Sequence, residues 1–160
     1  MEQQKQMIVS MGQFLGEEVM HVMREMGRMQ SSIRIEGRAA TVTCPGRERT
    51  NTGRAGFPGE YREADPVEIR LGLLRLGDVM IGAVNAEVFN LIGQRLKRES
   101  PYNRTLLATL TNGMARSGYI PHDAGFGMYT FEVVSSLLEP GCAESAIVNG
   151  ILDLMAATEE

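Results

Sequence analysis

Leu76-Gly-Asp-Val-Met-Ile-Gly-Ala-Val-Asn-Ala-Glu-Val-Phe89 decides the fold of this chain. Gly77-Asp78 is a compact turn signal, and Val79–Val84 is a short, almost wholly apolar run that suits a central buried strand. Ahead of the turn, Val67, Ile69, Leu71 and Leu73 alternate with Glu68, Arg70 and Gly72, the period of a half-buried strand. The two runs therefore predict a hairpin. After Val84 the period changes. Val88, Leu91, Ile92 and Leu96 share one helical face opposite Gln94, Arg95, Lys97 and Arg98, so a helix is expected over 87–98 with Asn85 as its N-cap. Ser100-Pro101 stops it, and Thr105–Thr111 reads as another apolar strand. Strand, helix, strand over this span is a βαβ unit with parallel strands. The predicted class is α/β: a mixed sheet with a βαβ unit and flanking helices, part of a larger layered α/β domain.

Outward from this centre, Ile8, Met11, Leu15, Val19, Val22 and Met26 recur at spacings of three and four. They predict an amphipathic helix over 6–28 whose Met-rich stripe packs into a core. Ile33–Cys44 is rich in β-formers and reads as a strand ended by Pro45, which cannot donate to a ladder. Pro45–Asp65 holds four glycines and two prolines and is expected as a long surface loop, or as a cover for a site. Residues 122–139 give a mixed signal. Ala143–Ala157 predicts a closing helix with Ala146, Ile147, Ile151, Leu154 and Met155 on its apolar face. The whole of 1–160 is expected to form one domain.

The 160 residues are enough for a sizeable core, and the net charge of −4 argues against a nucleic-acid-binding surface. No apolar run approaches the roughly 20 residues of a membrane span, and the opening Met-Glu-Gln-Gln-Lys-Gln is not expected to begin a signal peptide. Cys44 and Cys142 are far apart in sequence and form no C-x-x-C pair. Buried free thiols are expected, with a disulfide as the alternative. With only His21 and His122, a histidine-rich metal site within this chain is ruled out.

The candidate chemistry sits at strand ends, where open α/β sheets bind ligands. Glu87 is expected in the first turn of its helix, where the helix dipole favours a carboxylate. Tyr119, in Gly118-Tyr-Ile-Pro121, heads a loop after the second parallel strand, so the two residues are placed to converge. His122, three residues further on, is a speculative third group, and His21 is a weaker one. Ser135-Ser136 has no neighbouring base and no nucleophile-elbow context.

Leu76–Phe89, Ile92-Gly-Gln-Arg-Leu-Lys97, Thr109-Leu-Thr-Asn-Gly113, Gly118-Tyr-Ile-Pro121 and Leu138-Glu-Pro-Gly141 together resemble the neutral/alkaline, non-lysosomal ceramidase family. The likeness runs from about Met11 to Leu154 and corresponds to the C-terminal part of that family's catalytic domain. It implies a zinc amidohydrolase that cleaves N-acylsphingosine to a fatty acid and a sphingoid base. The implied zinc ligands are two histidines, a glutamate and a tyrosine, with a serine near the metal-bound water. Glu87 matches the glutamate and Tyr119 the tyrosine, whereas the histidines and the serine belong to segments with no counterpart here. The chain departs from the family pattern in carrying Asn85-Ala86 where Pro-Gly is usual, and in a slightly longer Asn112–Tyr119 loop. The implied partners are a lipid amide substrate and either an N-terminal segment that completes the site or further copies of this chain. The alternative is a non-catalytic α/β module for oligomerisation or binding.

Overall fold

The computed structural model describes residues 2–27, 30–51 and 55–158. By contacts the chain divides into two units, residues 1–33 and 34–160. The first contains helix α1 (Glu2–Arg24). Within its own unit this helix has no second element to pack on, and none of its residues is buried. Ile8, Met11, Leu15, Val19, Val22 and Met26 are all at least half exposed, so the Met-rich stripe is not core. The expected span reached residue 28, which lies outside the described residues.

The second unit is α/β, and its first two strands are longer than the sequence suggests. Strand β1 (Ile35–Arg49) and strand β2 (Tyr61–Leu76) form one antiparallel ribbon from Ile35↔Leu76 to Arg49↔Tyr61. The expected 45–65 loop is thus strand at both ends, over 45–49 and 61–65, with the connection between them confined to residues 50–60. Pro45 does not end β1, because it falls in a bulge where the register shifts between Cys44↔Val67 and Gly46↔Ala64. A bulged residue is left out of the ladder, so its missing N–H costs nothing there. The backbones run so close at the bulge that a Cβ on Gly46 would collide with the Asp65 carbonyl.

Gly77, with φ of 62°, turns the chain into strand β3 (Val79–Val84), completing the expected hairpin. Beyond β3 come strand β4 (Glu87–Val88), helix α2 (Asn90–Glu99) and strand β5 (Arg104–Ala108). β3 and β5 pair in parallel, giving a four-stranded mixed sheet in the order β1-β2-β3-β5. Strand β6 (Tyr119–Ile120), a 3₁₀ turn (Asp123–Gly127), helix α3 (Phe131–Ser135) and helix α4 (Ala143–Ala156) complete the chain.

One face of the sheet carries the core. Val67, Ile69, Leu71 and Leu73 of β2 and Met80 and Val84 of β3 pack under Ile92 and Leu96 of α2 and Ile147, Val148, Ile151 and Met155 of α4. Gly82 lets α4 approach this closely, because a Cβ there would stand 3.0 Å from Ile151 Cγ2. Each fully buried aliphatic side chain contributes about 1.5–3 kcal/mol. On the opposite face Leu74 and Leu106 remain exposed.

Cys44 and Cys142 are joined in a disulfide, so the free thiols expected from their spacing are replaced by the alternative. The bridge is tertiary: the β1 bulge brings Cys44 to the N-terminus of α4, where Cys142 sits. Backbone hydrogen bonds Glu139 N–H to Pro45 O (3.0 Å) and Arg47 N–H to Leu137 O (2.8 Å) hold the same seam. A bridge across a sequence separation of 98 restricts the unfolded chain strongly. Its reduction is expected to cost about 2–5 kcal/mol and to lower the melting temperature by on the order of 10 °C. Thermal unfolding with and without dithiothreitol checks this, and coincident midpoints would contradict it.

Candidate functional site

The site begins where β3 ends. Asn85 is buried and does not cap a helix. Its Oδ1 accepts the Arg70 N–H (2.9 Å), its own N–H donates to Arg70 O (3.3 Å), and its carbonyl accepts from Ala115 N (2.6 Å). With Asn85 so engaged, the next residues stay extended. Glu87 N–H donates to Gly118 O (2.8 Å) and Phe89 N–H to Ile120 O (3.0 Å), making β4 and β6 a parallel two-stranded sheet. Glu87 therefore lies in a strand and not in the first turn of a helix. Tertiary pairing overrides the local helical pattern, and α2 starts three residues later with Phe89 as an N-cap that offers no side-chain hydrogen bond. Ala86, where the resembled family has glycine, is fully buried.

In this small sheet Glu87 is the register partner of Tyr119, and Val88 of Ile120. Register partners project to the same face, and successive residues to opposite faces. Ile120 is fully buried and Val88 packs against the core, so Glu87 and Tyr119 stand side by side on the other, solvent-facing side. Glu87 is exposed and Tyr119 half-buried, with its ring edge-to-face on Phe131 at 5.7 Å.

Buried Ser117 fixes β6 from behind. Its hydroxyl donates to Tyr119 O (2.9 Å), accepts from Leu137 N (3.0 Å) and lies 3.4 Å from Ser136 Oγ. Neither serine is presented as a nucleophile, since both hydroxyls are fixed within this network. The loop entering β6 holds two non-glycine residues at positive φ, Leu110 (55°) and Asn112 (56°). Such backbone is strained and persists only where the surroundings enforce it. Here Leu110 N–H is tied to Ala86 O (3.2 Å) and Thr111 N–H to Val84 O (3.0 Å). Sequence reading missed Ser117 and Leu110 because their roles are set by partners distant in the chain.

His122 is packed elsewhere. Its ring lies 5.7 Å from that of Phe89 and against Gly125, where a Cβ would come within 3.0 Å of it. Its Nδ1 is buried with no hydrogen-bond partner among the described residues. His21 is exposed on α1, 3.9 Å from Glu25. Glu87 and Tyr119 supply two neighbouring oxygen donors, suited to part of a zinc coordination sphere, which usually takes four ligands. Among the described residues no group of three His, Cys, Asp or Glu is placed to hold a metal ion.

The segment after β6 is held by Glu144 at the start of α4. Its carboxylate accepts the Asp123 N–H (2.9 Å) and an Arg95 N–H (3.2 Å). The Asp123 N–H, then Arg95 and His122, hold the Glu144 carboxyl below the ordinary glutamate range against the opposing effect of burial. A value lowered on folding stabilises the fold above the unfolded value, and that contribution is lost as pH falls through the folded one.

No protein-family model, curated protein or solved structure matches this chain.

Wild type is expected to exceed Glu144→Gln in urea midpoint at about pH 6, with the gap closing by about pH 3. A pH-independent gap would show that the carboxylate charge contributes nothing.

Proposed function

We propose that this chain is the C-terminal part of a ceramidase-like zinc amidohydrolase, acting on the N-acyl amide of ceramide, with Glu87 and Tyr119 as two of the metal ligands. The observation that carries the reading is the register pairing Glu87↔Tyr119. It puts side by side the two residues that the family resemblance singles out, although they are far apart in sequence.

Each residue's contribution follows from its setting. Glu87 offers an exposed carboxylate that needs no burial of its charge before a cation arrives. Tyr119 offers a phenol oxygen on a strand fixed by the Ser117 hydroxyl behind it and by β4 beside it. Phe131 sets the tilt of its ring through the edge-to-face contact. Zinc, when bound, supplies Lewis acidity toward the amide carbonyl and lowers the pKa of its water to about 7. An isolated tyrosine, with a pKa near 10, is a poor ligand until that positive charge is present. The chain alone is accordingly expected to bind zinc weakly. The two histidines and the serine implied by the resemblance would come from a further segment or chain.

A second reading, a non-catalytic module for oligomerisation or binding, is favoured by the exposed apolar face of α1. No helix among the described residues is long and apolar enough to cross a membrane.

Hydrolysis of a fluorogenic N-acylsphingosine with added zinc, measured beside Glu87→Ala, separates these readings. The chain alone is expected to show no efficient hydrolysis; combined with a segment that supplies the two histidines and the serine, it is expected to show zinc-dependent activity that falls at least about 100-fold in the variant, or roughly 3 kcal/mol of transition-state stabilisation. Equal activity in both proteins removes Glu87 from the site, and a monodisperse inactive oligomer favours the binding module.

A further inference from the structure

We infer that the outer edge of β1, from Ile35 to Thr43, pairs antiparallel with the same edge of a second copy of this chain, centred on Gly37. The pairing draws on no group of the candidate site, so it holds for an active chain and for a binding module alike.

β1 ends the sheet in the order β1-β2-β3-β5, so one of its sides faces no strand of that sheet. Which residues that side presents follows from one hydrogen bond. Gly77 N–H donates to Arg34 O (2.8 Å), which directs the peptide groups of the even-numbered residues of β1 before the bulge toward β2. Those of Ile35, Gly37, Ala39 and Thr41 then point outward, and they have no hydrogen-bond partner among the described residues. Farther along, the edge is closed: Arg47 N–H donates to Leu137 O (2.8 Å), and Gly46 bridges Leu138. The stretch left free is roughly 30 Å long. Proteins blunt such an edge with proline, a bulge or charged side chains. Here Pro45 and its bulge fall past the free stretch, and the outward residues Ile35, Gly37, Ala39, Thr41 and Thr43 are all uncharged. Ile35 is 68% exposed.

Charge selects the occupant. Glu36 and Arg38 flank Gly37, so a two-fold axis at Gly37 sets each Glu36 directly opposite the second copy's Arg38. These are non-hydrogen-bonded pairs, in which side chains come closest. Both groups are already held on the strand surface, because Glu36 is paired with Arg34 (2.5 Å) and with Arg38 (2.8 Å). A centre one residue to either side sets Glu36 against Glu36 or Arg38 against Arg38. Centres at Ala39 or beyond oppose neither charge with its opposite, and a centre at Ile35 leaves most of the edge unpaired. The edge is thus complementary to itself in one register, which a chance extended peptide would not match. Five paired residues a side fall well short of the roughly 20–30 of a standard interface, so the dimer is weak and concentration-dependent.

Sedimentation equilibrium of the full chain over about 5 to 500 µM tests this, and wild type is expected to pass from monomer toward dimer across that range. Ala39→Pro removes an outward N–H that the β1–β2 ladder does not use, so the fold is kept while the dissociation constant rises at least about tenfold. Arg38→Glu sets carboxylates against each other and weakens the dimer at least about threefold, and adding Glu36→Arg restores affinity to within about twofold. A wild type still monomeric at about 500 µM overturns the inference. Association unchanged in both Ala39→Pro and Arg38→Glu overturns it as well, and places the contact on another surface, such as the exposed stripe of α1. Failure of the charge swap to recover what Arg38→Glu loses overturns the Gly37 register.

Discussion

The structure around the candidate site depends on one backbone zipper. Residues 84–89 and 110–120 are joined by a succession of main-chain hydrogen bonds: Thr111 to Val84, Ala115 to Asn85, Leu110 to Ala86, Glu87 to Gly118 and Phe89 to Ile120. Buried peptide groups must find partners, and here each strand end finds them in the other. The zipper prolongs the parallel β3–β5 pairing past the sheet proper. It ends where Pro121 has no N–H to give. All that is proposed of the site follows from it, because a shift of one residue would send Glu87 and Tyr119 to opposite faces.

The rest of the second unit braces this zipper. Asn85 ties its start to β2, and Ser117 ties its end to Leu137. The Leu137–Cys142 stretch is in turn fastened to the β1 bulge by two main-chain hydrogen bonds and the Cys44–Cys142 bridge. Arg47, at the same seam, is buried and donates to the carbonyls of Val133 (2.9 Å) and Ser136 (3.3 Å). Its guanidinium also lies over the Tyr61 and Phe126 rings, at 3.8 and 4.9 Å from their centroids. Burial pulls the Arg47 pKa below its ordinary value, but the aromatic faces and carbonyls give the cation partners in place of water. The bulge, the buried arginine and the disulfide thus act on one turn, the turn that supports β6.

What was legible in the sequence was periodic. Val67–Leu73 alternates over a long run, Val79–Val84 is short and apolar between turn signals, and α4 repeats its aliphatics at helical spacing, so these elements and the βαβ order could be read directly. What was not legible was settled by residues distant in the chain. Glu87-Val88 carries a helical pattern locally and becomes strand only because Gly118–Ile120 lies alongside. Pro45 looks like a strand terminator until a bulge accommodates it opposite Asp65-Pro66. The cysteines show no spacing motif, since their meeting depends on that bulge. The stripe on α1 has the period of a core helix, yet within its own unit there is no core for it to join. The candidate site followed the same rule: Glu87 and Tyr119 stood out, whereas Ser117 and Leu110 carried no local signal.

The backbone nuclear Overhauser pattern between residues 87–89 and 118–120 in isotope-labelled protein reads the β4–β6 pairing directly. The β4–β6 pairing gives interstrand cross-peaks of a parallel pair in the register Glu87↔Tyr119 and Val88↔Ile120, with the Glu87 and Phe89 amides protected from exchange. Successive amide contacts of helical type through Asn85–Asn90, with no cross-peaks to 118–120, would put Glu87 back in a helix and rule out the Glu87↔Tyr119 pairing.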